Sequence, residues 1–270
     1  MQAYFREAGT GEGVVCLHSN ASASAQWRAL MDRLSSRFRV FAPDSLGAGK
    51  SPAWPQDRVV NLSDEVDLLQ PVCALAGNPL SLVGHSYGGA VALRVALAMP
   101  GRVRALAVYE PTLFSLLEEE VTNHPDSQGI RDAVNDAGAA IDAGDLAAAG
   151  ARFIDYWMGD GTWCSMPAPR RDMVAASMIN VRGWGQALLR DPTPLQNFAA
   201  LTMPVLCMVG AQSPPSSRGV SRLLASVLPN LTFVEFPELG HMGPVTHAEL
   251  VNDAIEKFLG WPPEPAQCHA

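Results

Sequence analysis

Ser86 is the residue whose surroundings best suit chemistry. It stands in Gly84-His85-Ser86-Tyr87-Gly88, between the apolar run 80–83 and an alanine-rich run that begins near Gly88. A short apolar run followed by a helical pattern predicts a strand, a very sharp turn and a helix. The two glycines clear side chains from both sides of that turn, so the serine can adopt strained backbone angles and project its hydroxyl from a sheet edge. The same turn sets the Tyr87 amide and a helix N-terminus beside the hydroxyl, where they can stabilise negative charge. A glycine-rich turn that merely packs a helix on a strand is the alternative. The strand before and the helix after favour a nucleophile.

A serine hydroxyl needs a base within hydrogen-bond reach to attack at neutral pH. Of the six histidines, His241 is best placed. It follows the β-type run 231–236 through Pro237-Glu238-Leu239-Gly240, on a loop expected to return to the carboxyl edge of a sheet. His85, next to the serine, is expected to be structural, and His247, at the start of the last helical run, a surface residue.

With these residues in view, the chain resembles the α/β-hydrolase superfamily. Gly84-His85-Ser86-Tyr87-Gly88-Gly89 is similar to that family's nucleophile elbow, Leu17-His18-Ser19-Asn20 to its oxyanion loop and Gly240-His241-Met242 to the loop carrying its base. Asp44-Ser45-Leu46-Gly47-Ala48-Gly49-Lys50-Ser51 resembles its Asp-x-x-Gly-x-Gly-x-Ser segment. The resemblance covers most of the chain and implies serine-based hydrolysis without a cofactor or metal. It also implies that the Asn20 amide joins that of Tyr87 as oxyanion donor, although Ser19 stands where the family usually has glycine. Capping of the helical run 25–35 is the other role open to the Asn20 side chain.

The acid departs from the family pattern. An aspartate is usual a few residues after the strand 204–210, but this chain reads Gly210-Ala211-Gln212-Ser213 and has no carboxylate there. Some members of the superfamily carry the acid one strand earlier, and Glu110 occupies that place. Either Glu110 orients His241, or Ser213 replaces the acid alone and the histidine loses its charged partner. The expected activity is cleavage of a small carboxylic ester, or of a related acyl or carbon–carbon bond, through an acyl-enzyme on Ser86. A cofactor-free perhydrolase or haloperoxidase-like enzyme, or a non-catalytic member that binds a small ligand, are the alternatives.

These residues need a scaffold that brings distant loops to one rim. Runs 3–8 and 14–18, separated by a glycine-rich stretch, suggest a hairpin. Strands follow at 38–42, 80–83, 103–109, 204–210 and 231–236, alternating with helices at 25–35, 63–76 capped by Ser63, 88–99, 216–227 and 246–259. That rhythm predicts an α/β fold with a mostly parallel, doubly wound sheet. It lapses between Thr112 and Leu201, which is alanine-rich, carries Phe114, Phe153, Tyr156, Trp157, Trp163 and Trp184, and has no convincing strand. The division is therefore a core of residues 1–111 and 202–270 with a helical cap, 112–201, inserted over the site. Each cap aromatic is expected to pack in the cap's own interior rather than line the substrate pocket. The Gly47 and Gly49 loop lacks P-loop spacing and is read as a structural turn.

The totals narrow the partners. The formal charge of −8 is dispersed, and 19 basic residues form no run, which argues against nucleic acid or a polybasic membrane anchor. The histidines show no zinc-ligand spacing. Five cysteines, odd in number and mostly in apolar runs, suggest buried free thiols in a reducing compartment. No secretory signal or membrane-length apolar span is visible, so a cytoplasmic protein acting on a small molecule, compatible with a homodimer, is expected. The proline-rich residues after Gly260 are expected to form an irregular tail.

Overall fold

The computed structural model describes residues 1–55, 58–119 and 124–260; the expected tail lies outside them. Seven strands form one sheet: β1 (Phe5–Ala8), β2 (Glu12–Leu17), β3 (Phe38–Pro43), β4 (Leu80–His85), β5 (Val103–Tyr109), β6 (Val205–Gly210) and β7 (Leu231–Phe236). Their order is β1-β3-β2-β4-β5-β6-β7, with only the β1–β3 pairing antiparallel. The expected β1–β2 hairpin does not form, because β3 lies between the two strands. Fully apolar Val14-Val15-Cys16-Leu17 is buried on both faces and takes an interior place, where β3 and β4 flank it in parallel. The more exposed β1 is left at the edge.

Side chains alternate between the two faces of this sheet with the two-residue period of extended backbone. Val14, Cys16, Ala105, Ala107 and Tyr109 pack with α1 (Arg28–Leu34) and, near the chain end, the helix Ala248–Leu259. Val15, Leu17, Leu106 and Val108 face the other way, toward α2 (Leu62–Ala76) and α3 (Tyr87–Ala98). The N-cap of α2 is Asn61 rather than Ser63: its side chain accepts from the Ser63 amide, and Asp64 reaches back to the Asn61 amide in a capping box. Leu75, near the end of α2, is 48% exposed.

Between Thr112 and Leu201 every described element is helical. These are α4 (Pro125–Asp142), α5 (Leu146–Met158), α6 (Thr162–Ser165), α7 (Ala168–Ser177) and α8 (Val181–Leu189), with short 3-10 turns. Ala137, Ala149, Ile154, Trp163 and Val174 form a separate small core within this layer. Ile130, Trp157, Trp184 and Leu188 instead join the main core above the sheet edge. The chain then returns through β6, α9 (Pro215–Val227), β7, α10 (Gly243–Thr246) and α11 (Ala248–Leu259). Cys16, Cys73 and Cys207 are buried free thiols, as expected, whereas Cys164 is exposed. Burial pushes the Cys73 thiol up to about 11 and Cys207 to about 12, so neither supplies a thiolate at neutral pH.

Candidate active site

The carboxyl ends of β2, β4, β5, β6 and β7 meet at one rim, where loops of an open parallel sheet gather. Ser86 follows β4 directly and caps α3 with φ 55° and ψ −118°. Holding a non-glycine residue there costs about 1–3 kcal/mol, and the surrounding packing enforces it. A Cβ on Gly84 would come within 2.5 Å of the Gly88 carbonyl oxygen, and one on Gly88 within 2.3 Å of the Leu17 carbonyl oxygen. Both glycines are therefore required by close backbone approach. The Tyr87 amide opens α3 beside the serine.

Ser86, His241 and Glu110 form one continuous chain of hydrogen bonds. The Ser86 hydroxyl lies 2.9 Å from His241 Nε2, and His241 Nδ1 lies 2.6 Å from Glu110 Oε2. All three residues are buried. Glu110 follows β5 at φ 45°, and its other oxygen accepts from the Gly210 amide at 2.7 Å and from the Ser213 hydroxyl at 2.5 Å. With both oxygens accepting, Nδ1 carries the imidazole proton and Nε2 is free to accept from serine. The carboxylate that meets His241 is thus that of Glu110, immediately after β5, and the Ser213 hydroxyl bonds its other oxygen.

A second network, which sequence reasoning missed, ties the oxyanion loop to the base loop. Gln26 Oε1 accepts from the Ser19 amide and hydroxyl, both at 3.0 Å, while its amide nitrogen donates to His85 Nδ1 at 3.1 Å. His85 Nε2 donates in turn to the His241 carbonyl at 2.8 Å. Burial, reinforced by the His241 charge, holds His85 well below the usual imidazole range, so it stays neutral when its neighbour is protonated. Tyr109 fixes the same loop by donating to the Gly240 carbonyl at 2.8 Å. His18 donates from Nδ1 to the Ser19 carbonyl and accepts the Ser45 amide at Nε2. For His18, Ser19, His85 and Tyr109 the sequence signal is their position at strand ends, whereas Gln26, in the 3-10 turn Ser24–Trp27, carries none.

Asn20 lies in the turn after β2, followed by Ala21 at φ 52°, and lines the same small chamber as Ser86. Its side-chain oxygen is buried without a protein partner, and the following 3-10 turn starts from Ala23, so Asn20 caps no helix. The chamber also departs from one expectation: Phe114, Phe153, Trp157 and Trp184 line it, although Phe153 packs against the small core of the helical layer as well. Trp157 stacks on His241, ring centroids 3.9 Å apart at 24°. Tyr156 lines a cavity beside His241 and bonds the Ser216 hydroxyl at 2.7 Å, whereas Trp163 does pack in the segment's own core. His247 is exposed, as expected.

Gly47 and Gly49, at φ 69° and 52°, shape a turn around buried Asp44, which accepts the amides of Ser24 and Lys50. Its role is structural.

Residues 13–248 match the family profile described as alpha/beta hydrolase fold. The chain belongs to this family. It is 23% identical over 262 residues, 95% of this chain and 94% of its relative, to (E)-2-((N-methylformamido)methylene)succinate hydrolase of Acinetobacter baylyi. Over 268 residues it is 24% identical to the pimeloyl-[acyl-carrier protein] methyl ester esterase of Aliivibrio salmonicida, covering 95% of each chain. A thermophilic esterase from Thermogutta terrifontis superposes with a TM-score of 0.76 at 23% identity, covering 95% of this chain and 92% of the other. The α/β-hydrolase relatives named here are hydrolases or esterases.

Proposed function

We propose that this α/β hydrolase is a serine hydrolase that cleaves a small carboxylic ester through an acyl-enzyme on Ser86. The observation that carries the reading is the unbroken Ser86–His241–Glu110 chain of hydrogen bonds. His241 Nε2 takes the hydroxyl proton as Oγ attacks the acyl carbon, and Glu110 stabilises the imidazolium that results. The Tyr87 and Asn20 amides receive the developing oxyanion, helped by the positive end of α3; each such donor is worth roughly 10²–10³ in rate. Proton transfer from Nε2 to the leaving oxygen collapses the intermediate. His241 then deprotonates a water that attacks the acyl-serine, and the acid leaves.

The methyl ester esterase among the relatives supports ester chemistry as the class to test first. The helical layer 112–201 acts as the cap, since its aromatics reach the chamber over Ser86. The experiment is labelling with a fluorophosphonate probe, followed by peptide mass spectrometry, beside turnover of p-nitrophenyl esters. An adduct on Ser86 and ester turnover, both lost in Ser86→Ala, are expected. A folded protein that neither labels nor turns over any ester would instead be a ligand-binding member of the fold.

A further inference from the structure

Three cavities meet at one indole. The chamber over Ser86 has a volume of about 20 Å³ and is lined by Thr112, Phe114, Ile130, Val134, Phe153 and Leu188, among others. A groove of about 480 Å³ runs from Asn20 past Ala48, Met158 and Met242 to Arg170. A third space, of about 610 Å³, lies against His241, Met158, Gln212 and Pro214. Trp157 lines all three, stacked on His241 and braced edge-on by Tyr156 at 4.8 Å. The indole thus stands between the chamber that holds the nucleophile and the third space, and it separates the chamber from the groove together with Asn20, Phe153 and Trp184.

The proposed reaction sets the orientation of a substrate among these spaces. The leaving oxygen must take its proton from His241 Nε2, and His241 lines the third cavity while Met242 lines the groove. His241 does not line the chamber, but Ser86 and Asn20 do. The leaving group therefore departs on the histidine side, and the acyl group enters the chamber. At about 20 Å³, against about 480 and 610 Å³ for the two larger spaces, the chamber is the tightest of the three and favours a short acyl group over a long one. Among the described side chains, no aspartate, glutamate, lysine or arginine lines the chamber, and beside these an ionised acyl group would enter unpaired at a desolvation cost. Thr112 Oγ1 and Trp184 Nε1, on two of its lining residues, are buried polar atoms that no protein group bonds.

We propose, resting on the serine-esterase reading, that Trp157 determines substrate specificity by closing the acyl chamber, restricting the enzyme to short, uncharged acyl groups. Removing the indole widens the chamber toward the third space and takes away one of the two tryptophans on its boundary with the groove, whose Met158, Met173 and Val174 would receive a longer chain.

The test is kcat/KM for p-nitrophenyl acetate and hexanoate in the full-length wild type, Trp157→Ala and Trp157→Leu. Wild type is expected to favour acetate, and the hexanoate-to-acetate ratio to rise at least about tenfold in Trp157→Ala. Trp157→Leu retains apolar bulk against the helical layer, so it supplies the same readout if the alanine variant fails to fold; its ratio should rise in the same direction. A parallel loss on both esters in the folded variants, or a wild type that already prefers hexanoate, overturns the length claim. In a second arm, wild-type turnover of methyl hydrogen succinate as fast as methyl butyrate overturns the exclusion of charge. No ester turnover and no Ser86 labelling in wild type would instead sink the parent reading.

Discussion

At the scale of single residues, the acid and its neighbour make separable contributions. In the proposed mechanism Glu110 contributes a charge to His241, while Ser213 contributes one hydrogen bond to Glu110. Glu110→Gln is expected to keep the fold and lower kcat by about 10⁴, the scale on which an amide in place of the orienting acid leaves the wrong tautomer. Ser213→Ala should cost no more than about tenfold, because the Gly210 amide still holds the same carboxylate oxygen. Steady-state kinetics at saturating ester, with circular dichroism to check folding, separates the two. Equal losses would mean that Glu110 acts only through its packing. His85 is a positioning residue: its neutral ring joins Gln26 to the base loop and touches no reacting atom in the proposed mechanism.

At the scale of elements, α2 carries an unexpected titration. Glu65, in the first turn of α2, is fully buried. It accepts from the Tyr87 hydroxyl at 2.9 Å and from the Leu46 amide at 3.2 Å, tying α2 to the elbow and to the loop after β3. Burial outweighs these bonds and pushes its carboxyl up to about 7. Because the unfolded chain releases this proton near 4.5, the stabilising effect is complete below that pH and is lost as pH rises toward 7. The loss over that window is about 3 kcal/mol. Urea midpoints of Glu65→Gln relative to wild type should therefore climb between about pH 4.5 and pH 7 and then level off. A constant offset would show that Glu65 keeps its ordinary affinity for the proton. In the same helix, Asn61→Ala should lower stability by about 1 kcal/mol through loss of the capping box, with little change in turnover at low temperature.

For the whole molecule, the sheet separates stability from chemistry. Ile255 of α11 is fully buried on the face that packs α1 and α11, whereas Phe114, Trp157 and Trp184 of the helical layer join the opposite face. Ile255→Ala is expected to cost about 2–5 kcal/mol in urea denaturation while kcat below the transition stays within about twofold. A large fall in kcat for the folded variant would show that the two faces are coupled. Among the described residues no helix is long and apolar enough to cross a membrane, and no group of histidine, cysteine and acidic side chains is arranged to hold a metal.

The sequence by itself determined what is written locally. The glycines around Ser86 dictate the strained turn, and the alternation of apolar runs with helical patterns dictates the parallel sheet, because both depend on backbone sterics and periodicity within a few residues. The lapse of that alternation after Thr112 likewise marks the helical layer. Tertiary structure decided whatever depends on which distant segments meet. The insertion of β3 between β1 and β2 replaced the hairpin, since burial of a wholly apolar strand outweighs the proximity of two sequential ones. Whether Glu110 or Ser213 partners His241 depended on angstrom-scale spacing between β5 and β6, which no local pattern encodes. The turn of α5 that carries Phe153 and Trp157 toward Ser86 depended on the packing of α5 against α4 and α7, and that packing set both rings along the chamber over Ser86.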